Sequence, residues 1–310
     1  MFKIPGILPS VEFRAIHSCT ENNFFVRTIQ DNFDTVYNCF IDNPEKRANL
    51  VMYIVSYKPE FIYLLLNLYD NIHYENDLFF ESAIVCLNYD FAKYLIINGV
   101  DPQTNDNIAM KLCSSDINDI DNGLDFMNFL VEHKCDVTID NNYPIKQATN
   151  CNNIDMVKFL FDNGANIHVE NDFPLRIACY DISENDIETS MIEYLLSIGA
   201  NYRADNNYPL RLCIMANQIP TIKILLKYGA NLDELDIDIL IYSIANSTFE
   251  MIEFLVSAGI NYDKLTMSNI NALYNMRNID IGKQKNVVEK LVRNNVDPVV
   301  LATILLIYKL

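Results

Sequence analysis

Positive charge is scarce in this chain. Its 310 residues hold 23 lysines and arginines against 41 aspartates and glutamates, a formal charge of −18. That balance argues against nonspecific binding to nucleic acid or to an anionic membrane. Catalytic and metal-ligating side chains are sparse as well. The four histidines, His17, His73, His133 and His168, are scattered and unpaired. No His-Glu-x-x-His, Gly-x-Ser-x-Gly, phosphate-binding loop or Gly-x-Gly-x-x-Gly occurs. The eight cysteines form no Cys-x-x-Cys pair, and several fall at apolar positions. They read as reduced, buried thiols of a cytosolic or nuclear compartment. The longest apolar run, Val299 to Tyr308, is too short to cross a bilayer. The start, Met1 to Pro9, lacks the h-region of a secretory signal. The expectation is a chain with no catalytic residue, no cofactor and no metal.

What the sequence has is repetition. Between residues 126 and 286 one phrase recurs, as in Met156-Val-Lys-Phe-Leu-Phe-Asp-Asn-Gly-Ala-Asn166 and Met191-Ile-Glu-Tyr-Leu-Leu-Ser-Ile-Gly-Ala-Asn201. Repetition at about 30 residues signals a solenoid, which offers a long surface instead of one deep pocket. The anchors are Tyr69, Gly99, Lys134, Gly164, Gly199, Gly229, Gly259 and Asn295. Before each anchor runs an amphipathic helix, helix B, with apolar residues such as Val157, Leu160 and Phe161 at i, i+3 and i+4. A glycine after it suits the left-handed geometry that ends helices, so Lys134 should end its repeat differently or carry strain.

Ten residues past three anchors stand Pro144, Pro174 and Pro209. Proline suits the first helical position, where the N–H has no intrahelical partner. Four residues on, the side chain is small: Ala83, Cys113, Ala148, Ala178, Cys213 and Ser243. A small residue lets helices approach closely. The unit reads as loop, helix A, turn, helix B, glycine.

Two phrases carry a family resemblance: Tyr/Phe-Pro-Leu/Ile-Arg/Lys-x-Ala/Cys, and helix B ending in Gly-Ala-Asn. Together they resemble the ankyrin repeat over roughly residues 60 to 297. The Asn-rich loops, the many Ile and Tyr, and Arg where ankyrin repeats use His look like the ankyrin proteins of giant DNA viruses of amoebae. The resemblance implies an all-α solenoid of stacked helix pairs with short finger loops. The loop from glycine to proline is about three residues shorter than the 33-residue period implies, so each finger should be stunted. Residues 1–40 do not repeat and read as an N-terminal cap. Residues 41–310 read as about seven or eight units, the last truncated.

The candidate partner-binding residues lie on helix A and the fingers. Lys111, Lys146, Arg176 and Arg211 form one column. They suit either a basic stripe for an acidic partner or an internal ladder to carboxylates such as Asp140, Glu170, Asp172 and Asp205. Tyr143, Phe173 and Tyr208 form a second column, either a contact surface or packing for the finger bases. His168 and Arg203 on the fingers complete the set. Three insertions, around Ser114–Gly123, Ile182–Glu188 and Ile279–Lys285, fall between helices A and B. The first two are acidic and read as surface loops or as docking sites for a basic partner. Their spacing imitates a calcium-binding loop only loosely.

The implied function is recognition of a protein, from the host cell, by the groove of helix A faces and finger loops. One alternative is an adaptor whose N-terminal 40 residues recruit a host machine such as a ubiquitin ligase. Another is an active site hidden in that segment. Nucleic acid and membrane are not expected partners. The expected location is the host cytoplasm, with the nucleus and the virus particle also open. Residues 298–310, a helix apolar on almost every side, suit self-association.

Overall fold

The computed structural model describes residues 74–115, 120–180 and 189–261, with isolated positions between 49 and 62 and at 264. The N-terminal cap, the segments 181–188 and 279–285 and the C-terminal helix 298–310 lie outside the described residues. Among those described are twelve α-helices and no strand, so the architecture is the expected all-α stack of helix pairs. Two compact units, Met1–Ala165 and Asn166–Leu310, divide the chain.

The first unit holds α1 (Tyr74–Val85), α2 (Tyr89–Ile97), α3 (Thr104–Cys113), α4 (Ile120–Glu132), α5 (Ile139–Asn150) and α6 (Ile154–Asp162). The second holds α7 (Val169–Tyr180), α8 (Ser190–Ser197), α9 (Ala204–Met215), α10 (Ile219–Lys227), α11 (Ile237–Asn246) and α12 (Phe249–Ser257). A short 3₁₀ turn, Leu232–Glu234, precedes α11. Odd numbers are A helices and even numbers B helices. No helix among the described residues is long and apolar enough to cross a membrane.

Each B helix ends by the same physics. The residue after the anchor donates its N–H back to the carbonyl five residues earlier, as Ala165 does to Leu160 (2.9 Å). The anchor donates to the carbonyl three residues earlier, as Gly164 does to Phe161 (3.0 Å). This paired closure satisfies two carbonyls that the helix end leaves open, and it needs a left-handed residue at the anchor. The anchor glycines supply it, with φ between +92° and +109°. At Gly229 an added Cβ would also meet the Tyr202 hydroxyl at 3.1 Å.

Lys134 closes its helix with the same two bonds, to Leu130 (3.0 Å, through Cys135) and Val131 (2.9 Å), at φ +67°. The repeat therefore ends like the others, and the backbone carries the strain of a Cβ in the left-handed region. Replacing Lys134 with glycine relieves that strain and adds chain entropy to the unfolded state. The expected net is a gain of about 0.5–1 kcal/mol. Urea unfolding of Lys134→Gly checks it, and a loss of stability would count against the strain.

The A-to-B turns close in the same way. Asn88, Asn153 and Gln218 donate to the carbonyls of Ala83 (2.8 Å), Ala148 (2.9 Å) and Cys213 (2.8 Å). Those small residues are fully buried, as expected for close helix approach. Ala178 differs, being only half-buried. The acidic insertion Ser114–Gly123 is not wholly a loop. Residues 120–123 form the first turn of α4, and Gly123 lies buried in it. The apolar spacing of Gly123, Leu124 and Met127 simply extends the helix face backward.

Buried apolar side chains join the layers. In the first unit Phe79, Phe80, Leu95, Met110, Phe126 and Leu130 are essentially inaccessible. Tyr89 stacks on Phe126 with ring centroids 4.8 Å apart. In the second unit Leu175, Leu195, Leu210, Ile222, Leu225 and Leu255 do the same.

Candidate recognition surface

The finger turns start from the Asn or Asp two residues past each anchor. Its side-chain oxygen accepts an N–H two residues on, from Gln103, Thr138, His168, Arg203 and Asp233 in turn, at 2.8–2.9 Å. This side-chain turn reverses the chain without a hairpin.

The residues after four of these finger turns depart from the loop that their sequence predicts. Asn105-Asp106-Asn107, Asp140-Asn141-Asn142, Glu170-Asn171-Asp172 and Asp205-Asn206-Asn207 all have positive φ, between +47° and +60°. Three left-handed residues in a row make one left-handed turn, closed by bonds such as Asn142 N–H to the Thr138 carbonyl (2.9 Å). The right-handed part of helix A begins only after it, which places Pro144, Pro174 and Pro209 in the first right-handed turn, as expected. The signal for it was present: a run of Asn and Asp, the residues that best tolerate this region. Exposed Asn171, at φ +56°, makes the point testable. Asn171→Val is expected to cost about 1–2 kcal/mol and Asn171→Gly almost nothing. Equal losses in thermal or urea unfolding would contradict the left-handed assignment.

These turns carry the acids that meet the cation column. In the first unit Lys111 reaches Asp106 of its own turn (2.6 Å) and Asp140 of the next (2.5 Å). Those bonds, to Asp106 first, hold the ammonium above the ordinary lysine range. Lys146 is half-buried at the equivalent place. In the second unit Arg176 donates to the Glu170 carbonyl of its own turn (3.1 Å) and to Asp205 of the next (2.9 Å). Its guanidinium also lies 5.7 Å from the centre of the Tyr208 ring, within cation–π range. Arg211 lies 3.7 Å from Asp236. Within each unit, then, the column binds one repeat to the next.

Arg203 forks onto Glu234 of the next finger, at 3.0 and 2.5 Å. Its pairing holds the guanidinium above its usual value. His168 Nδ1 lies 2.8 Å from Asp172, and the same carboxylate oxygen accepts the Asn201 N–H of the next repeat (2.8 Å). A carboxylate only accepts, so Nδ1 is the donor there. Tyr143 accepts from Gln147 through its hydroxyl (2.8 Å). Phe173 is half-buried on the open side of α7.

A family model described as ankyrin repeats, three copies, matches residues 85–171 and 175–266. That is more than half of the sequence. The chain belongs to the ankyrin repeat family. No curated relative matches it. Among solved structures it is similar to the human ASB11 ankyrin repeat domain, at 19% identity, covering 59% of this chain and 84% of that one with a TM-score of 0.46. Ankyrin repeats generally mediate protein–protein interaction.

The thiols of this ankyrin array behave as core groups. Cys113, Cys135, Cys179 and Cys213 are buried, and Cys86 and Cys151 are half-buried. Burial, with a smaller contribution from the charge of Asp101, pushes Cys135 up to about 11. Burial raises Cys151, and contact with Cys179 together with burial raises Cys213. Reactive thiols sit at depressed values, so these are poor nucleophiles. The folded state holds thiol protons that the unfolded chain releases. Stability is therefore full below the ordinary thiol value of about 8.5 and falls as pH rises through the folded values. The urea midpoint is expected to drop between about pH 8.5 and 11, and less so in Cys135→Ala. An equal drop in both proteins would assign the loss to other groups.

Proposed function

We propose that this chain is a recognition scaffold that binds a protein partner through the open faces of its A helices and the adjoining finger turns. The observation that carries this reading is a contrast in the second unit. The finger turns are tied from repeat to repeat by Arg176, Arg203 and Asp172. The A helices beside them still present large apolar side chains to water, with Tyr180 69% and Met215 42% exposed. A fixed backbone presenting exposed aromatic and Met side chains suits binding, because little order has to be gained on association. The likeness to giant-virus ankyrin proteins makes an amoebal host cell the source of the partner and its cytoplasm the meeting place.

The test is capture from amoebal lysate by the full chain and by Tyr180→Glu/Met215→Glu. A partner retained by the first and lost by the second, at equal melting temperature, is the expected result. Identical capture by both proteins would remove the A-helix face from the interface.

A further inference from the structure

Residues at i, i+4 and i+7 share one face of a helix. In α7 the face turned away from the core carries Phe173, Ile177 and Tyr180, and in the adjacent α9 it carries Tyr208, Leu212 and Met215. All six are half-buried or exposed, whereas Leu175, Cys179, Leu210 and Cys213 behind them are fully buried. Among the described A helices only α7 and α9 are apolar at all three positions, since α3 has Ile108, Leu112 and Ser115 there. In α5 the same positions are Tyr143, Gln147 and Asn150, mostly polar. Two neighbouring apolar faces of this size suit docking.

The arginines beside the strip are already paired. Arg176, Arg203 and Arg211 are each matched by Asp205, Glu234 and Asp236. One further carboxylate, Asp238, is exposed and makes no ion pair among the described residues, whereas Asp233 already has the Lys264 ammonium beside it, donating to its carbonyl at 2.5 Å. Asp238 occupies in α11 the position that Phe173 and Tyr208 hold in α7 and α9, so the aromatic column ends on a carboxylate. The whole chain, at −18, adds long-range attraction for cations.

We infer that the α7–α9 face receives a cationic amphipathic segment of the partner protein. Its apolar side chains cover the strip between Phe173 and Met215, and a Lys or Arg at its end meets Asp238. An acidic segment would bring like charges together, which costs specificity and association rate. A purely apolar segment would leave Asp238 without a match. The inference rests on the recognition function proposed above and names the chemistry of the partner.

The probe is a fluorescent peptide of about four helical turns with Leu at i, i+4 and i+7 and Lys elsewhere. Its twin carries Glu in place of Lys. Each is titrated by anisotropy against the full chain, against Leu212→Ser/Met215→Ser and against Asp238→Asn. The Lys peptide is expected to bind saturably and the Glu peptide not at all. The serine pair should weaken binding about tenfold or more, as expected for losing two apolar contacts. The asparagine variant should weaken it less and flatten its salt dependence. Binding of the Glu peptide, or undiminished binding by either variant, overturns the inference. A natural partner that crosslinks to Met215 through an acidic or neutral segment overturns this inference alone. A partner indifferent to Tyr180 and Met215 overturns the recognition reading beneath it.

Discussion

Asp172→Ala is expected to destabilise the second unit by about 1.5–3 kcal/mol, the range for hydrogen bonds to a charged group. Asp172 sits at the end of a left-handed turn, and its side chain is only 7% exposed. One oxygen accepts both the Asn201 N–H of the next repeat and His168 Nδ1. Truncation leaves the Asn201 N–H facing a site where water has little access, so its desolvation is no longer offset. Alanine in the left-handed region adds strain of its own. Asp172→Asn is the informative comparison, because asparagine occupies the same place in the other turns, as Asn107, Asn142 and Asn207. It keeps an acceptor for the Asn201 N–H and tolerates the backbone, so its loss should be well under half that of alanine. Urea unfolding of the three proteins decides. Equal losses for alanine and asparagine would mean that the negative charge, and not the acceptor, holds the repeats together.

The recurring phrases made the fold legible because they encode helix ends. Gly-Ala-Asn places a left-handed residue, then the N–H that closes helix B, then the side chain that starts the finger turn. Each step is local, so spacing alone reveals it. Lys134 shows where such reading stops. A lysine predicts a different ending or a strained one, and the closure bonds of neighbouring groups force the second. The left-handed finger turns were harder to read. Glycine usually advertises positive φ, and here Asn, Asp and even Glu170 take its place.

The cation column was legible as a column but open in meaning, since a lysine or arginine can face a partner or a neighbour. Only the position of the next turn shows that Lys111, Arg176 and Arg211 face neighbouring acids. The apolar strip of Ile177, Tyr180, Leu212 and Met215 escaped notice for a related reason. Apolar spacing identifies two faces on a helix this hydrophobic, and only packing shows which one the B helices cover.

Arg176→Ala is expected to lower stability by about 1–3 kcal/mol without any partner present. The guanidinium joins three groups at once: the Glu170 carbonyl, the Asp205 carboxylate and the Tyr208 ring. Two of them belong to the following repeat, so the residue acts on the interface between repeats more than on its own helix. In a stack where each unit touches only its neighbours, cooperativity comes from such interfaces. Loss of Arg176 should therefore broaden the unfolding transition as well as shift it, which appears as a smaller urea m-value. Arg176→Lys tests geometry against charge. An ammonium can meet Asp205 or the Glu170 carbonyl, but it lacks the planar fork that spans both while lying against the ring. Lysine is expected to recover only part of the loss. The partly exposed pair with Asp205 supplies the smaller share, because solvent screens it. Asp205→Asn should accordingly cost less than Arg176→Ala. An unchanged urea midpoint and slope for Arg176→Ala, together with lost partner capture, would instead assign Arg176 to the binding surface.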